Sequence, residues 1–326
     1  MNEILVQILS GRDLQLDEAF DLATTCEPAE LYRAADELRE QLHRSSLDLC
    51  SIVNAKSGKC SENCKFCAQS SHYDVDVVSY DVVDIVKAVE LAKENEQYGV
   101  QRFSLVTAGR TVSERQLEEF QVIYEKLREE THLSFCASMG FLTPEKASKL
   151  KEMGVTRYHC NLETSRSYFA NVCTTHTWDE KVATIMIARD AGLEVCSGGI
   201  IGMGENLAQR LEMAFELREL GILSIPLNIL TPIRDTPFAH LQPLSVGEVL
   251  TSVAMFRLIN PQAVIRLAGG RNLLGSEQSK CFTAGANGAI VGNYLTTVGN
   301  TLSEDIAMFR ALGFDVDGQA NSAGTS

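Results

Sequence analysis

The cysteines at 60, 64 and 67 are the residues best placed to do chemistry, in the string KSGKCSENCKFCAQSSHY over residues 56–73. Three thiolates this close in sequence can converge on one metal centre. A closed structural zinc site needs a fourth Cys or His at a familiar spacing. His72 is the nearest candidate, but x3 followed by x2 is not a zinc-ribbon pattern. An all-cysteine ferredoxin cluster also needs a fourth cysteine close by, and the segment supplies none. Three ligands on a [4Fe–4S] cluster leave one iron open, which suits a reactive site. Cys60, Cys64 and Cys67 therefore predict an enzyme built around such a cluster, rather than a non-catalytic Fe–S electron carrier.

Chemistry of this kind needs a scaffold that brings distant residues to one mouth. Eight β-rich runs alternate with amphipathic stretches: 50–55, 102–107, 132–139, 157–163, 194–201, 224–231, 263–269 and 288–293. Helical patterns fill 82–96, 113–130, 143–154 and 206–221. Thr143 reads as an N-cap with Pro144 at the first helical position, and Gly154 as the stop. The repetition predicts an α/β fold, a closed (β/α)8 TIM-type barrel over 46–316, with a doubly wound open sheet as the alternative. Residues 1–45 read as an N-terminal helical extension and 317–326 as a flexible tail. The cluster segment follows the first strand, which sets it at the C-terminal mouth, where barrel ligands gather.

The totals fit a soluble globular protein: 326 residues, 45% hydrophobic and 22% charged. The net charge of −14 argues against a nucleic-acid surface. No signal peptide is visible, and no apolar run reaches the roughly 18 residues of a membrane span. A cytoplasmic enzyme is expected. In a reducing compartment the ten cysteines read as metal ligands, catalytic groups or small core residues rather than disulfides.

The triplet, with Phe66 before its last cysteine, resembles the radical S-adenosylmethionine superfamily. Within it, the ordered blocks CSENCKFCAQSSHY, YHCNLETS (158–165), CTTHTWDEK (173–181), SGGIIGMGE (197–205), IRLAGGR (265–271) and CFTAGANG (281–288) resemble the biotin synthase family. The blocks span roughly residues 50–300. The resemblance implies a homodimeric sulfurtransferase with S-adenosyl-L-methionine as radical source and dethiobiotin as substrate. It also implies a flavodoxin or ferredoxin reductant and Fe–S assembly machinery that rebuilds a spent cluster. The family chemistry breaks two C–H bonds with 5′-deoxyadenosyl radicals, and the protein orients and seals the site.

Residue by residue, the resemblance assigns Asn161 and Glu163 to S-adenosylmethionine; the usual family residue at 163 is Asp. Gly198 and Gly199 are expected in the same pocket, because glycine allows close backbone approach. Tyr73 is a lid or cofactor contact, or else surface packing. Asn228 matches a position expected to bind the ureido ring, since an amide both donates and accepts; a buried turn contact is its alternative. Cys26 and Cys281 read as structural, and Cys173 as core packing.

The family's auxiliary cluster is held by three cysteines and an arginine. Cys136, Cys196 and Arg266 occupy matching positions, but the fourth is Ser104. A serine oxygen is a harder, poorer ligand than a thiolate. Either Ser104 ligates weakly or another cysteine has taken over. Cys50 begins the strand beside Ser104, about 4.8 Å away. Cys160 follows His159 and precedes Asn161, so it should point outward if Asn161 points in. Cys50 is favoured, and the auxiliary Fe–S cluster is expected to be [2Fe–2S] or a larger variant.

Overall fold

The computed structural model describes residues 1–292 and 299–316. The expected tail at 317–326 and the last residue of the expected final strand, Asn293, lie outside them. The strands are β1 Asp48–Lys56, β2 Arg102–Thr107, β3 Ser134–Ser138, β4 Val155–His159, β5 Glu194–Cys196, β6 Gly199–Ile201, β7 Ser224–Ile229, β8 Val264–Leu267 and β9 Gly288–Ile290. The helices are α1 Asn2–Leu9, α2 Leu16–Thr25, α3 Pro28–His43, α4 Ile85–Gln97, α5 Glu114–Glu130, α6 Pro144–Glu152, α7 Phe169–Val172, α8 Trp178–Asp190, α9 Leu207–Glu219, α10 Val246–Ile259 and α11 Leu302–Ala311. A 3-10 stretch covers Arg271–Cys281.

Five of the helices start by the same local chemistry. Ser113, Thr177, Asn206, Ser245 and Thr301 accept from the backbone three residues on, while a Gln or Glu there reaches back to the cap. These capping boxes satisfy donors that a helix start leaves open. Thr143 caps α6 ahead of Pro144, and Gly154 follows at φ 89°.

The nine strands form one parallel sheet in the order β5-β4-β3-β2-β1-β9-β8-β7-β6. The sheet curls, and its ladder has two ends, so it is an open half-barrel rather than an uninterrupted ring. Those ends, β5 and β6, are neighbours in sequence with Ser197 and Gly198 between them. The expected strand over 194–201 is thus interrupted. Gly198 explains where: an added Cβ there would lie 2.0 Å from the Pro226 carbonyl oxygen.

Strand alternation sorts the side chains. On β2, Phe103 and Leu105 are fully buried in the same core as Leu117, Phe120 and Ile123 of α5. Ser104 and Val106 face the other way and line a cavity inside the curl. The N-terminal helices share this core through Leu5, Leu31 and Leu38. Tyr32 on α3 donates to the Gly247 carbonyl on α10 (3.1 Å), which fixes the extension to the sheet's helical coat. Among the described residues no helix is long and apolar enough to cross a membrane.

Candidate active site

The concave side of the sheet is polar in three levels. The lowest is ionic. Asp48 on β1 meets Arg266 at 2.9 Å, Arg157 at 3.6 Å and Arg102 at 3.7 Å. Glu194 pairs with Arg157 (2.9 Å) and Arg102 (3.4 Å). Burial works against the Asp48 carboxylate, but Arg266, Arg157 and Arg102 hold it down at about 2.

Above the ion layer lie the thiols. Cys50, Cys136 and His159 bring their donor atoms within 4.8 Å of one another. Register explains the meeting: Cys50 pairs with Arg102 and Ser104 with Cys136 across the parallel ladders, while Arg157, His159 and Asn161 alternate onto the same face. Cys50 is held down at about 7, chiefly by its hydrogen bond with Cys136, whose own thiol is pushed well up. Burial pushes His159 down to about 4. Ser224 Oγ donates to Cys196 Sγ (3.2 Å) and accepts from Arg266 (3.4 Å), so Cys196 joins the same polar interior. Cys160 turns its sulfur toward the Lys181 carbonyl at 3.8 Å. The thiol that meets Cys136 is Cys50.

Among the described residues, Ser104 Oγ, His159 Nε2 and Arg266 Nε are buried with no hydrogen-bond partner. Buried polar atoms are rarely left unmet, because each costs about 1–3 kcal/mol. Orphans beside three thiols are what a metal-ligating pocket presents, so these residues fit an auxiliary Fe–S cluster.

The third level is a cavity of about 310 Å³ whose wall includes Cys60, Cys64, Cys67, Ser104, His159, Asn161, Glu163, Lys181 and Asn228. A second, of about 210 Å³, shares Phe66, Cys67, Asn228 and Ile290 with it. The cluster loop follows β1. It is shaped by Cys60 N–H donating to the Gln69 carbonyl (2.9 Å) and Ser71 N–H to the Cys60 carbonyl (2.8 Å). Gly58, at φ 74°, passes Ser79 so closely that a Cβ would meet its hydroxyl at 2.1 Å. The three half-buried thiols face one space, which fits a cluster with one iron left to the cavity. Tyr73 donates its hydroxyl to the Asn63 carbonyl (2.5 Å), so it braces this loop; it lines neither cavity.

Glu163 has φ 71°, a left-handed conformation that is costly for a side chain of this size. Its N–H donates to the Gly198 carbonyl (3.1 Å) and its carbonyl accepts from Ile200 (2.8 Å). These bonds tie the end of β4 to β6 and hold the strained turn. Its carboxylate stands 3.5 Å from Lys181 Nζ, and burial pushes it upward. A Cβ on Gly199 would strike the Glu163 carbonyl at 2.4 Å and Met213 Sδ at 2.5 Å. Gly198 and Gly199 therefore serve strand packing around Glu163, and neither lines the cavities. Asn228 lines both, and its amide accepts from Gly269 N–H (2.9 Å) and donates to the Gly199 carbonyl (3.1 Å). It is a half-buried strand contact with one N–H and one lone pair to spare.

One group was missed in the sequence. Cys173, read there as core packing, is buried, but its sulfur lies on Cys64 and His176 rather than in an apolar core. His176 Nδ1 is 3.3 Å from Cys173 Sγ and 2.6 Å from Glu62 Oε2, and Arg110 reaches Glu62 at 3.3 Å. The hydrogen bond with Cys64 lowers Cys173 to about 3 and raises Cys64. No spacing rule foretold this contact. His159 was not singled out either, although its alternation with Asn161 was a signal that could have found it.

Fold and site define a radical S-adenosylmethionine enzyme: the profile of the Radical SAM superfamily matches residues 55–217. That of the Biotin and Thiamin Synthesis associated domain matches 226–315. The chain is 60% identical over 319 residues to biotin synthase of Desulfotalea psychrophila, covering 97% of this chain and 95% of that one. It is 52% identical to biotin synthase of Acetivibrio thermocellus, covering 94% and 96%. The chain belongs to the biotin synthase family. Its fold resembles methylornithine synthase (TM-score 0.82, 17% identity, 96% of each chain). It also resembles the FeFe-hydrogenase maturase HydG of Carboxydothermus hydrogenoformans (TM-score 0.79, 18% identity, 96% of this chain and 78% of that one).

Proposed function

We propose that this chain is a sulfurtransferase that converts dethiobiotin to biotin, with Cys60, Cys64 and Cys67 holding the [4Fe–4S] cluster. The observation that carries this reading is vertical. The cavity walled by those three cysteines runs down to Ser104 and His159, and His159 belongs to the group with Cys50 and Cys136. A substrate in the cavity would lie between the two centres. When bound, the first cluster with S-adenosylmethionine supplies a hydrogen-abstracting 5′-deoxyadenosyl radical, and the auxiliary cluster supplies sulfur.

The chain's own residues bind, orient and exclude water. Asn161 and Glu163 take S-adenosylmethionine, with Lys181 setting the Glu163 carboxylate and Gly198 and Gly199 holding its backbone turn. Tyr73 steadies the cluster loop. Asn228 offers its spare donor and acceptor to the ureido ring. Cys136, Cys196, Arg266 and Cys50 ligate a variant auxiliary cluster, with Asp48 orienting Arg266 and with Ser104 and His159 at its edge. We read β5 and β6 as one broken strand, so that eight strands close a barrel over 46–316. Residues 1–45 are its helical extension. A homodimer, a small flavodoxin or ferredoxin reductant and Fe–S assembly machinery complete the reading.

The test is anaerobic reconstitution with S-adenosylmethionine, dithionite and dethiobiotin. Mass spectrometry should find 5′-deoxyadenosine and biotin. No 5′-deoxyadenosine would exclude radical chemistry, and 5′-deoxyadenosine without biotin would exclude the substrate. Mössbauer spectra with iron and sulfide counts test the auxiliary centre; an ordinary [2Fe–2S] signal would exclude the larger variant.

A further inference from the structure

Cys173 and His176 belong to neither ligand set, yet they sit against one of them. They lie on the segment between α7 and α8 that closes over the cluster loop. Asn63 joins the two stretches, its Nδ2 donating to Thr174 Oγ1 (2.7 Å) and its Oδ1 accepting from Thr174 N–H (2.9 Å). Cys64, Cys173 and His176 bring one sulfur, one sulfur and one ring nitrogen within 4.8 Å of one another. Glu62 Oε2 is 2.6 Å from His176 Nδ1 and accepts from Thr175 Oγ1 at 2.8 Å.

The two sulfurs and the ring nitrogen have the dimensions of three ligands of a mononuclear tetrahedral site, while Glu62 is the hydrogen-bond partner of the metal-free imidazole. Metal–sulfur bonds of about 2.3 Å and metal–nitrogen bonds of about 2.0–2.1 Å set neighbouring donors roughly 3.5–3.8 Å apart. The Cys173 Sγ to His176 Nδ1 separation is already 3.3 Å. The imidazole is also held in place: Phe141 and Phe169 pack edge-on against it, with ring centres at 5.3 and 5.6 Å. Cys173 and His176 are 3% and 6% exposed, so water competes poorly. Two thiolates and an imidazole select a borderline-soft divalent cation of the Fe²⁺ or Zn²⁺ type over Mg²⁺ or Ca²⁺.

We propose that, while the cluster is absent, the chain holds one such cation between Cys64 Sγ, Cys173 Sγ and His176 Nδ1, with the fourth position open to water. Binding releases the thiol protons to solvent, moves the imidazole proton from Nδ1 to Nε2, which is unpartnered among the described residues, and changes no oxidation state. Cys64 cannot serve this ion and a four-iron cluster together, so the ion must leave, or move, before the cluster is complete. Only that consequence rests on the assignment of Cys64 to the cluster; the site itself does not.

The test uses the full-length chain stripped of iron, kept anaerobic, with Co²⁺ as the probe. In a Cys50→Ala background, which removes the other close donor group of Cys50, Cys136 and His159, one Co²⁺ per chain should bind, with thiolate-to-cobalt charge-transfer bands and the strong visible bands of a tetrahedral ion. Cys173→Ser and His176→Ala should each weaken binding by roughly 10-fold or more, and Cys173→Ser should remove part of the charge-transfer intensity. Cys60→Ala and Cys67→Ala should leave both readouts unchanged. Zn²⁺ added first should slow [4Fe–4S] reconstitution in the parent chain and not in Cys173→Ser. Loss of Co²⁺ in Cys60→Ala or Cys67→Ala with retention in Cys173→Ser would overturn the proposal, as would no stoichiometric binding in the Cys50→Ala background. Far-UV circular dichroism of each variant separates ligand loss from misfolding. Isosteric Cys173→Ser decides if His176→Ala does not fold. These readouts need neither substrate nor turnover, so the site can fail while the proposed reaction stands.

Discussion

Asp48→Asn isolates the charge that organises the floor of the site. The substitution keeps the shape and an acceptor oxygen for Arg266, which donates to Asp48 Oδ1 at 2.9 Å. It removes the negative charge facing Arg102, Arg157 and Arg266. Burial opposes the folded carboxylate, but the three guanidiniums hold it from its ordinary 3.8 down to about 2. That difference converts to about 2 kcal/mol of stability at pH 7. The folded pKa is depressed, so the contribution is full above about pH 4 and fades as pH falls toward 2. By pH 3 roughly half of it should remain. The assay is urea unfolding of the cluster-free full-length chain at pH 7 and pH 3. With a slope of about 3 kcal/mol/M, the midpoint at pH 7 should fall by roughly 0.7 M. The variant should also retain less auxiliary iron, because Arg266 loses its charge partner. A variant as stable as the parent chain at pH 7, or a gap equally wide at pH 3, would refute the charge account.

Three further outcomes are expected. Cys50→Ala should lose auxiliary iron and sulfide while keeping 5′-deoxyadenosine formation; Cys160→Ala should keep both, and a reversal of this pattern in iron counts would move the fourth ligand to Cys160. Gly199→Ala should destabilise by about 1–3 kcal/mol, read as a lower thermal midpoint, because its Cβ would meet the Glu163 carbonyl at 2.4 Å and Met213 Sδ at 2.5 Å. Asn228→Ala should raise the KM for dethiobiotin roughly 10-fold or more with S-adenosylmethionine binding unchanged; an unaltered KM would reduce Asn228 to its strand contacts.

Much of this protein is local and was therefore legible. The capped helices, the eight β-rich runs and the loop position of Cys60, Cys64 and Cys67 follow from short-range pattern, because caps and alternation depend on residues a few positions apart. The family resemblance grouped Ser104 with Cys136, while alternation with Asn161 turned Cys160 outward and strand adjacency favoured Cys50. Register decided the rest. Which inward residues share a level depends on how parallel strands slide past one another, and nothing local records that slide. Nothing in the sequence thus tied Asp48, Arg102 and Arg157 to Arg266, and only the sheet made the four one ionic floor. The break at Ser197 and Gly198 was hidden for the same reason: it answers to Pro226, a strand away. Cys173 was the largest surprise, since a loop after β4 met a loop after β1. Short-range pattern alone was enough for the cysteine triplet and the repeating scaffold. Which thiols meet was settled only by the folded chain, because meeting depends on strand register and loop packing between residues far apart in sequence.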